Sequence, residues 1–506
     1  MQNKPLKIAF TGVFDIANYG DHLFPMIFTA VMKAKKINIE LYLFSPFGGK
    51  QSLSINEDVY PLTKMESLHL EHNFDAIIVG GGGILHYASG KQKLFRESED
   101  FLDYPVYESW VIPSLVAYKH DIKLIWNLPG GHQDFKDFYQ DLTQMLCVPV
   151  NYMSVRDNYT KNILLDCGFE NDSIKVYPDS AFVMKRYISD EILNTLISGL
   201  FEDNKKYIVF HANRLLSESS IPDVVKTLDY FMEIGYKIVL LPLAYTHDDE
   251  SIFRKINSQA KNSYFMFEKE LSMYEIMSVL AKCHMYIGVS FHGAITAVCH
   301  GNKAVAFDYV MNGKTKDLFS MLKLEDYYVN NSSKLLEKAM LCEEKMNSIN
   351  IEEKEDILDE HFNSIANLLI NDNKIKKDGD IFLEKLSSSI MRMNESQNQL
   401  KTKSYEYALL KAQFDQLDRL SHEMHMKYAF LEKENSQLHE ENKLIKKDLN
   451  LNKNSNASFE NEIKVIKENN ELSLNRNSEL NKKLSRYESS FLFKLSSFLI
   501  KVRNKF

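Results

Sequence analysis

Arg156, Asp179 and His292 are the side chains of this 506-residue sequence best suited to hold an anion and move protons. Arg156 lies in NYMSVRDNYT (residues 151–160), where a short apolar run delivers Ser154, Arg156 and Asp157 just ahead of a helical pattern. A guanidinium at a strand end suits a phosphate or carboxylate, gripped by paired hydrogen bonds. It suits an ion pair with Asp157, or one between domains, equally well. Asp179 follows Pro178 in VYPDSAF (residues 176–182). A carboxylate there can act on a substrate hydroxyl or pair with Arg156. His292 closes the run Met285–Val289 with Ser290, Phe291 and Gly293 around it, and a small-residue helix, Ala294–Cys299, follows at once. A helix N-terminus favours an anion, and a bound phosphate there would favour an imidazolium. The alternative makes His292 a helix cap.

Further binding candidates occupy similar places. IANYGDHLF (residues 16–24) follows the first apolar run and opens a helix at Asp21 or His22. Its Asn18 and Asp21 can hold hydroxyls of a sugar-like ligand, unless Asp21 is only the helix cap. DAIIVGGGGILH (residues 75–86) offers Gly81 and Gly82, where a ligand or another chain segment can approach the backbone, or where a tight structural turn needs no ligand at all. It has neither the dinucleotide fingerprint nor the phosphate-loop Lys-Ser/Thr ending. His132, in WNLPGGHQD (residues 126–134), falls at the cleft rim, as a ligand contact or a structural histidine. Lys314 and Lys316 lie one strand beyond His292 and either reach the same anion or stay in solvent.

The elements that must position these residues alternate. Leu6–Phe14, Ile39–Phe44, Asp75–Gly83 and Ile122–Gly131 read as buried strands, and YIVFHAN, YKIVLLPLAY, MYIGVSFHG and AVAFDY form a second set. Helical patterns such as Leu23–Lys35, Tyr159–Cys167 and Met273–Cys283 separate them. Strands alternating with helices predict βαβ units and parallel sheets. There are too many strands for one small sheet, so the pattern predicts an α/β protein with two Rossmann-like domains facing a cleft, residues 1–180 and 181–375. Ligands of such sheets sit at the C-terminal strand ends, where nearly all the polar, Gly-rich motifs fall.

From residue 376 the pattern changes. Leu410, Leu417, Met424, Leu431, Leu438 and Ile445 recur every seven residues, with Tyr407, Phe414, Ser421, Tyr428, Asn435 and Asn442 three places earlier. The register resumes at Phe459, Ile463, Ile466, Leu480 and Leu484, beyond a break at NKNSNAS. This heptad predicts a long α-helical coiled coil over 376–488 and a homo-oligomer formed through it. The alternative is one long solvated helix. Residues 489–506 are apolar and basic, too short to span a bilayer. They suit either peripheral contact with an anionic membrane or the packed end of the coiled coil.

The bulk numbers exclude little but agree. A net charge of -8 gives no support for nucleic-acid binding. Five widely spaced cysteines without CxxC argue against a disulfide framework or zinc and fit a reducing compartment. The N-terminus lacks a secretory apolar stretch, and the expected location is cytoplasmic, at the inner face of the membrane if the tail binds lipid.

NYGD, DAIIVGGGG, SVRD, YPDSAF and SFHGAITAVCHGNKAVAFDY, in this order and at these intervals, resemble the polysaccharide pyruvyltransferase family over about residues 6–325. The resemblance implies a fold like that of GT-B glycosyltransferases. It implies transfer of a pyruvyl group from phosphoenolpyruvate, the donor substrate, to a sugar hydroxyl of a cell-surface polysaccharide or its precursor. No metal, nucleotide or other cofactor is implied. On this reading Arg156 binds the donor, His292 is the general acid and Asp179 the base toward the acceptor. Asn18, Asp21, Gly81, Gly82, His132, Ser290, Phe291, Lys314 and Lys316 would surround the substrates. Two positions depart from the family pattern: Ser290 stands where many members carry Arg, and His22 where an acidic residue is common. A GT-B glycosyltransferase using a nucleotide-sugar, or a non-catalytic coiled-coil scaffold, stays open as an alternative.

Overall fold

The computed structural model describes residues 4–51, 53, 58–93, 100–131, 134–135, 138–201, 205–311, 313–371, 381–452 and 460–489. His132 and the basic tail beyond residue 489 lie outside the described residues. The chain divides into two compact units, Met1–Tyr405 and Glu406–Phe506.

The first unit holds two parallel sheets. One has seven strands in the order Ile174–Val176, Val150–Val155, Lys123–Trp126, Ala76–Val79, Leu6–Thr11, Ile39–Ser45, Val59–Pro61. The other has six, in the order Phe265–Met266, Lys237–Leu240, Tyr207–His211, Met285–Gly288, Lys303–Phe307, Tyr328–Val329. In both, the first strand in sequence stands inside the sheet, with its two successors on one side and the later strands on the other. This is the Rossmann-type winding, and it leaves a crevice where the order reverses. The strands read as unbroken apolar runs because helices cover both faces of a parallel sheet. Ile77, Ile78, Ile208, Val209, Ile287 and Val305 are wholly buried.

Helix boundaries follow local chemistry. The first helix, Tyr19–Ala34, starts earlier than its apolar periodicity suggested, because Asn18 caps it by accepting from the Gly20 N–H at 3.2 Å. The helix Asn158–Asp166 is capped by Asp157, and Met273–Lys282 carries a full capping box between Ser272 and Glu275.

The helix Glu352–Ile370 returns from the second sheet to the first. Its His361 sits between Tyr152, 3.0 Å from Nδ1, and Asn127, 2.9 Å from Nε2. Arg186, on the chain between the sheets, pairs with Glu355, Asp356 and Asp359 of the same helix. Nothing in the periodicity of this charged stretch signalled that it spans both halves. Burial pushes the His361 imidazole down to about 3. Its folded-state value thus lies below the unfolded value of about 6.5, so the unfolded chain takes up the proton first. The stability it contributes is complete above about pH 6.5 and is lost as pH falls toward about 3. We expect unfolding free energy to fall with acidification through this window, by up to about 1.4 kcal/mol per pH unit from this residue. His361→Gln should flatten the slope in denaturant titrations between pH 6.5 and 4. An unchanged slope would exclude this role for His361.

The helices Ile381–Asn452 and Glu460–Ser489 make up most of the C-terminal region. Within the second unit Asn435 donates to Asn481 at 2.7 Å, and Arg476 pairs with Glu434 at 2.8 Å. On one straight helix residues 435 and 481 would stand about 70 Å apart, at 1.5 Å per residue. The second helix therefore folds back along the first, burying Leu438, Asn442 and Leu480. Here the heptad seam finds a partner in its own chain, while Tyr407 and Leu410 of the same seam stay exposed. No helix among the described residues is long and apolar enough to cross a membrane.

Candidate active site

The crevices of the two sheets face each other. From the first domain come the loop after Leu6–Thr11, with Asn18 and Asp21, and the glycines after Ala76–Val79. From the second come His211, ending its strand, and the segment Val289–His292. Together they enclose a cavity of about 550 Å³ whose lining includes Asn18, Asp21, Gly82, Arg156, Ser290, Phe291, His292 and Lys314. Arg156, Phe291 and Lys314 also line a second cavity, of about 850 Å³, with Asp179, Tyr159 and Tyr177.

At the centre, Asp179 stands between a guanidinium and an imidazole. Its Oδ2 is 3.8 Å from Arg156 Nη1 and 3.5 Å from His292 Nε2, and its Oδ1 accepts from the Ala181 N–H at 2.9 Å. Burial would raise this carboxyl, but His292 and Arg156 outweigh it and hold Asp179 below the ordinary carboxylate range. Arg156 is almost wholly buried, lies over the Phe291 ring at 5.2 Å, and donates from Nε to Asp157 at 3.2 Å. Both ion pairs anticipated for Arg156 therefore exist at once. Arg156 Nη2, Asp179 Oδ2 and His292 Nε2 are nevertheless buried without a hydrogen bond. Each such atom costs about 1–3 kcal/mol unless something satisfies it, and such atoms in a native fold point to function.

His292 follows Ser290, which caps the helix Phe291–Cys299 by accepting from the Gly293 N–H at 3.2 Å. Ser290, not His292, is the cap, so the imidazole is released toward Asp179. The ring packs edge-on against Phe24 and lies against Gly20, where an added Cβ would fall 2.1 Å from Nδ1. The NYGD glycine thus lets the first domain close on the second domain's histidine. Gly20→Ala should displace the ring. We expect about 1–3 kcal/mol of destabilisation from overpacking, and a roughly tenfold to hundredfold loss of turnover from the misplaced imidazole. Calorimetric unfolding and steady-state rates measured on one preparation test this. Wild-type turnover would show that the ring tolerates the methyl group.

Asp21 and Lys314 face this centre. Because Asn18 takes the capping role, the Asp21 carboxylate is left to the cleft. Burial pushes Asp21 up to about 6, opposed by His292, Lys314 and Arg156. Burial and the nearby Arg156 push Lys314 down to about 8, opposed by Asp21 and Asp157. Gly82 takes a left-handed φ of +99° beside Asp21, a conformation that favours glycine.

Two expected contacts are corrected. Gly81 gives its space to Phe24, whose ring comes within 2.3 Å of where a Cβ would stand, and it does not line either cavity. Lys316 is exposed and lines neither cavity. It lies two residues past Lys314 on the helix Lys314–Met321, and residues two apart on a helix do not share a face.

Several residues escaped the sequence reading. His86, His211, Asp249 and Arg214 line the far end of the first cavity. Burial pushes His86 and His211 down to about 4, and Asp249 up to about 8. His211 ends a strand as His292 nearly does, so the same strand-end argument would have found it. His86, Arg214 and Asp249 carry no such local signal.

Two Rossmann-type domains with an arginine, a carboxylate and a histidine converging between them define an α/β protein with a charged interdomain cleft. Residues 18–309 match the model of the polysaccharide pyruvyl transferase family, and the chain belongs to that family. It is 26% identical over 208 residues to the amylovoran biosynthesis protein AmsJ of Erwinia amylovora, covering 38% of this chain. The chain spans about half (50%) of the length of that curated relative. Among solved structures, the UDP-GlcNAc 2-epimerase of Methanocaldococcus jannaschii is 12% identical with a TM-score of 0.45, covering 71% of this chain and 99% of that one. A glycosyltransferase of Rickettsia africae is 12% identical with a TM-score of 0.39, covering 78% and 99%.

Proposed function

We propose that this protein transfers a pyruvyl group from phosphoenolpyruvate to a sugar hydroxyl of a cell-surface polysaccharide or its precursor. The observation that carries this reading is the convergence of Arg156 and His292 on the buried Asp179, each of the two retaining a buried, unbonded polar atom. Phosphoenolpyruvate offers a phosphate and a carboxylate to these donors and to Lys314. Transfer needs a proton on its methylene carbon, which creates an oxocarbenium-like centre at the neighbouring carbon. His292 gives that proton as general acid. Arg156 stabilises charge on the phosphate as it leaves. Asp179, held ionised, keeps both cations in place. Membership of the family and the relative named for amylovoran biosynthesis support a glycan acceptor.

The appended helices would assemble copies of the chain beside its acceptor, where Tyr407, Leu410 and Phe430 are largely exposed. Calorimetric titration of the full-length protein with phosphoenolpyruvate, beside a panel of nucleotide-sugars, tests the donor. Saturable binding of phosphoenolpyruvate alone is the expected result. Binding of a nucleotide-sugar in its place would reassign the chain to glycosyl transfer.

A further inference from the structure

The pyruvyl reading leaves one step without a suitable group. An acceptor hydroxyl must lose its proton, and three carboxylates stand near the centre. Asp157 is taken up by Arg156 and by the Thr160 N–H of the helix it caps. The other two are differently placed. Asp179 is 2% exposed; one oxygen is spent on the Ala181 N–H, and the other faces Arg156 and His292. A hydroxyl could reach it only by separating those pairs. Asp21 is partly exposed and stands in the wall of the 550 Å³ cavity with His292, Arg156 and Lys314.

We propose that Asp21 is the general base that takes the proton of the acceptor hydroxyl, and that Asp179 only positions Arg156 and His292. This rests on the pyruvyl-transfer reading. Four arrangements carry it. Asn18, by capping the helix, frees Asp21 from that task and bonds its side chain instead. Gly82, with no side chain, leaves Asp21 Oδ1 open toward the cavity, since a Cβ there would come within 3.2 Å. His292, the acid, and Asp21 line the same cavity, so proton donor and proton acceptor flank one substrate. Finally, His292, Lys314 and Arg156 act on Asp21 to lower its carboxyl, Tyr104 stands near it, and His86, His211 and Asp249 line the same cavity.

The step balances. The methylene carbon of phosphoenolpyruvate gains a proton from His292. The acceptor oxygen bonds to the neighbouring carbon as its O–H bond breaks, and that proton passes to Asp21. Breaking the carbon–oxygen bond to phosphate then releases phosphate, which carries the proton away from Asp21 and leaves an oxocarbenium at that carbon. A second hydroxyl of the same sugar bonds to that carbon and closes the ketal, and its proton returns to His292, which regains its acid form. The Asp21 carboxyl, raised to about 6 chiefly by burial, is a stronger base than an ordinary aspartate and yet ionised at neutral pH.

The test uses the full-length protein, phosphoenolpyruvate, and a set of p-nitrophenyl hexopyranosides as acceptor probes. Phosphate release is followed from pH 5 to 9, and donor binding is measured by calorimetry. In the wild type the acidic limb of kcat/KM should fall near pH 6, because protonated Asp21 cannot accept a proton. Asp21→Asn should bind phosphoenolpyruvate within roughly fivefold of wild type, lose about 100-fold in phosphate release, and lose that limb. Asp21→Glu should recover part of the rate and the limb. Asp179→Asn should instead weaken donor binding. The proposal falls if Asp21→Asn keeps wild-type release, or if its acidic limb persists. A wild-type protein that binds no phosphoenolpyruvate would sink the pyruvyl reading itself, a result separate from either.

Discussion

Replacing Arg156 with alanine is expected to weaken phosphoenolpyruvate binding by about 100-fold or more, and to lower kcat/KM by about a thousandfold. The effect is electrostatic. Arg156 is almost wholly buried, so its charge acts through protein rather than water. Truncating one partner of a buried, hydrogen-bonded charge pair with a bound group costs about 2–5 kcal/mol, and each 1.4 kcal/mol is a factor of ten in binding. The loss would leave Asp179 facing the donor phosphate with only His292 and the Ala181 N–H beside it. An uncompensated carboxylate then repels the substrate that the guanidinium attracted. Lysine should not restore binding. It lacks the planar fork, and it cannot lie over the Phe291 ring as the guanidinium does at 5.2 Å. Titration calorimetry on Arg156→Ala and Arg156→Lys, with thermal unfolding to verify the fold, reads the effect. Unchanged affinity in both variants would remove Arg156 from the donor site.

His292→Gln should leave donor binding within about tenfold of wild type and reduce kcat by about a thousandfold, within the range for general acid–base catalysis. Glutamine keeps a hydrogen-bond donor near Asp179 but supplies no exchangeable acid at useful pH. The two variants thus separate binding from chemistry. Arg156→Ala acts on both Kd and kcat/KM, His292→Gln chiefly on kcat. Rapid-quench measurement of a single turnover isolates the chemical step. Wild-type kcat in His292→Gln would transfer the acid role elsewhere in the cleft, with Lys314 first in line because it is lowered to about 8.

Much of this organisation is written locally. Apolar runs such as AIIV and YIVF can be buried on both faces only within a covered parallel sheet, so strand positions follow from composition. Polar residues at strand ends mark the ligand edge, which singles out Arg156, His292 and Asp21 from the sequence alone. Caps are also local, yet they resolved differently at two points. Asn18 and Ser290 both outcompete a neighbour for the helix start, and in each case the neighbour is left to the cleft.

Other features depend on distance in sequence. Lys316 and Lys314 look equivalent until helix phase turns one outward. The heptad states that the C-terminal helices need a partner, but an apolar seam is the same whether a second chain or the same chain supplies it. The pairing of Asn435 with Asn481 belongs to the folded chain alone.

By itself, then, the sequence determined the two parallel sheets, the strand-end motifs, the resemblance to the pyruvyltransferases and the long C-terminal helices, because each rests on residues a few places apart. The tertiary structure decided which charges meet. Arg156, Asp179 and His292 come from three separate strand ends of two domains, and only docking of those domains brings Gly20 against His292 and one carboxylate between a guanidinium and an imidazole. Burial and electrostatic pairing follow from that docking, and they divide the two aspartates into one fixed counter-ion and one group free to accept a proton.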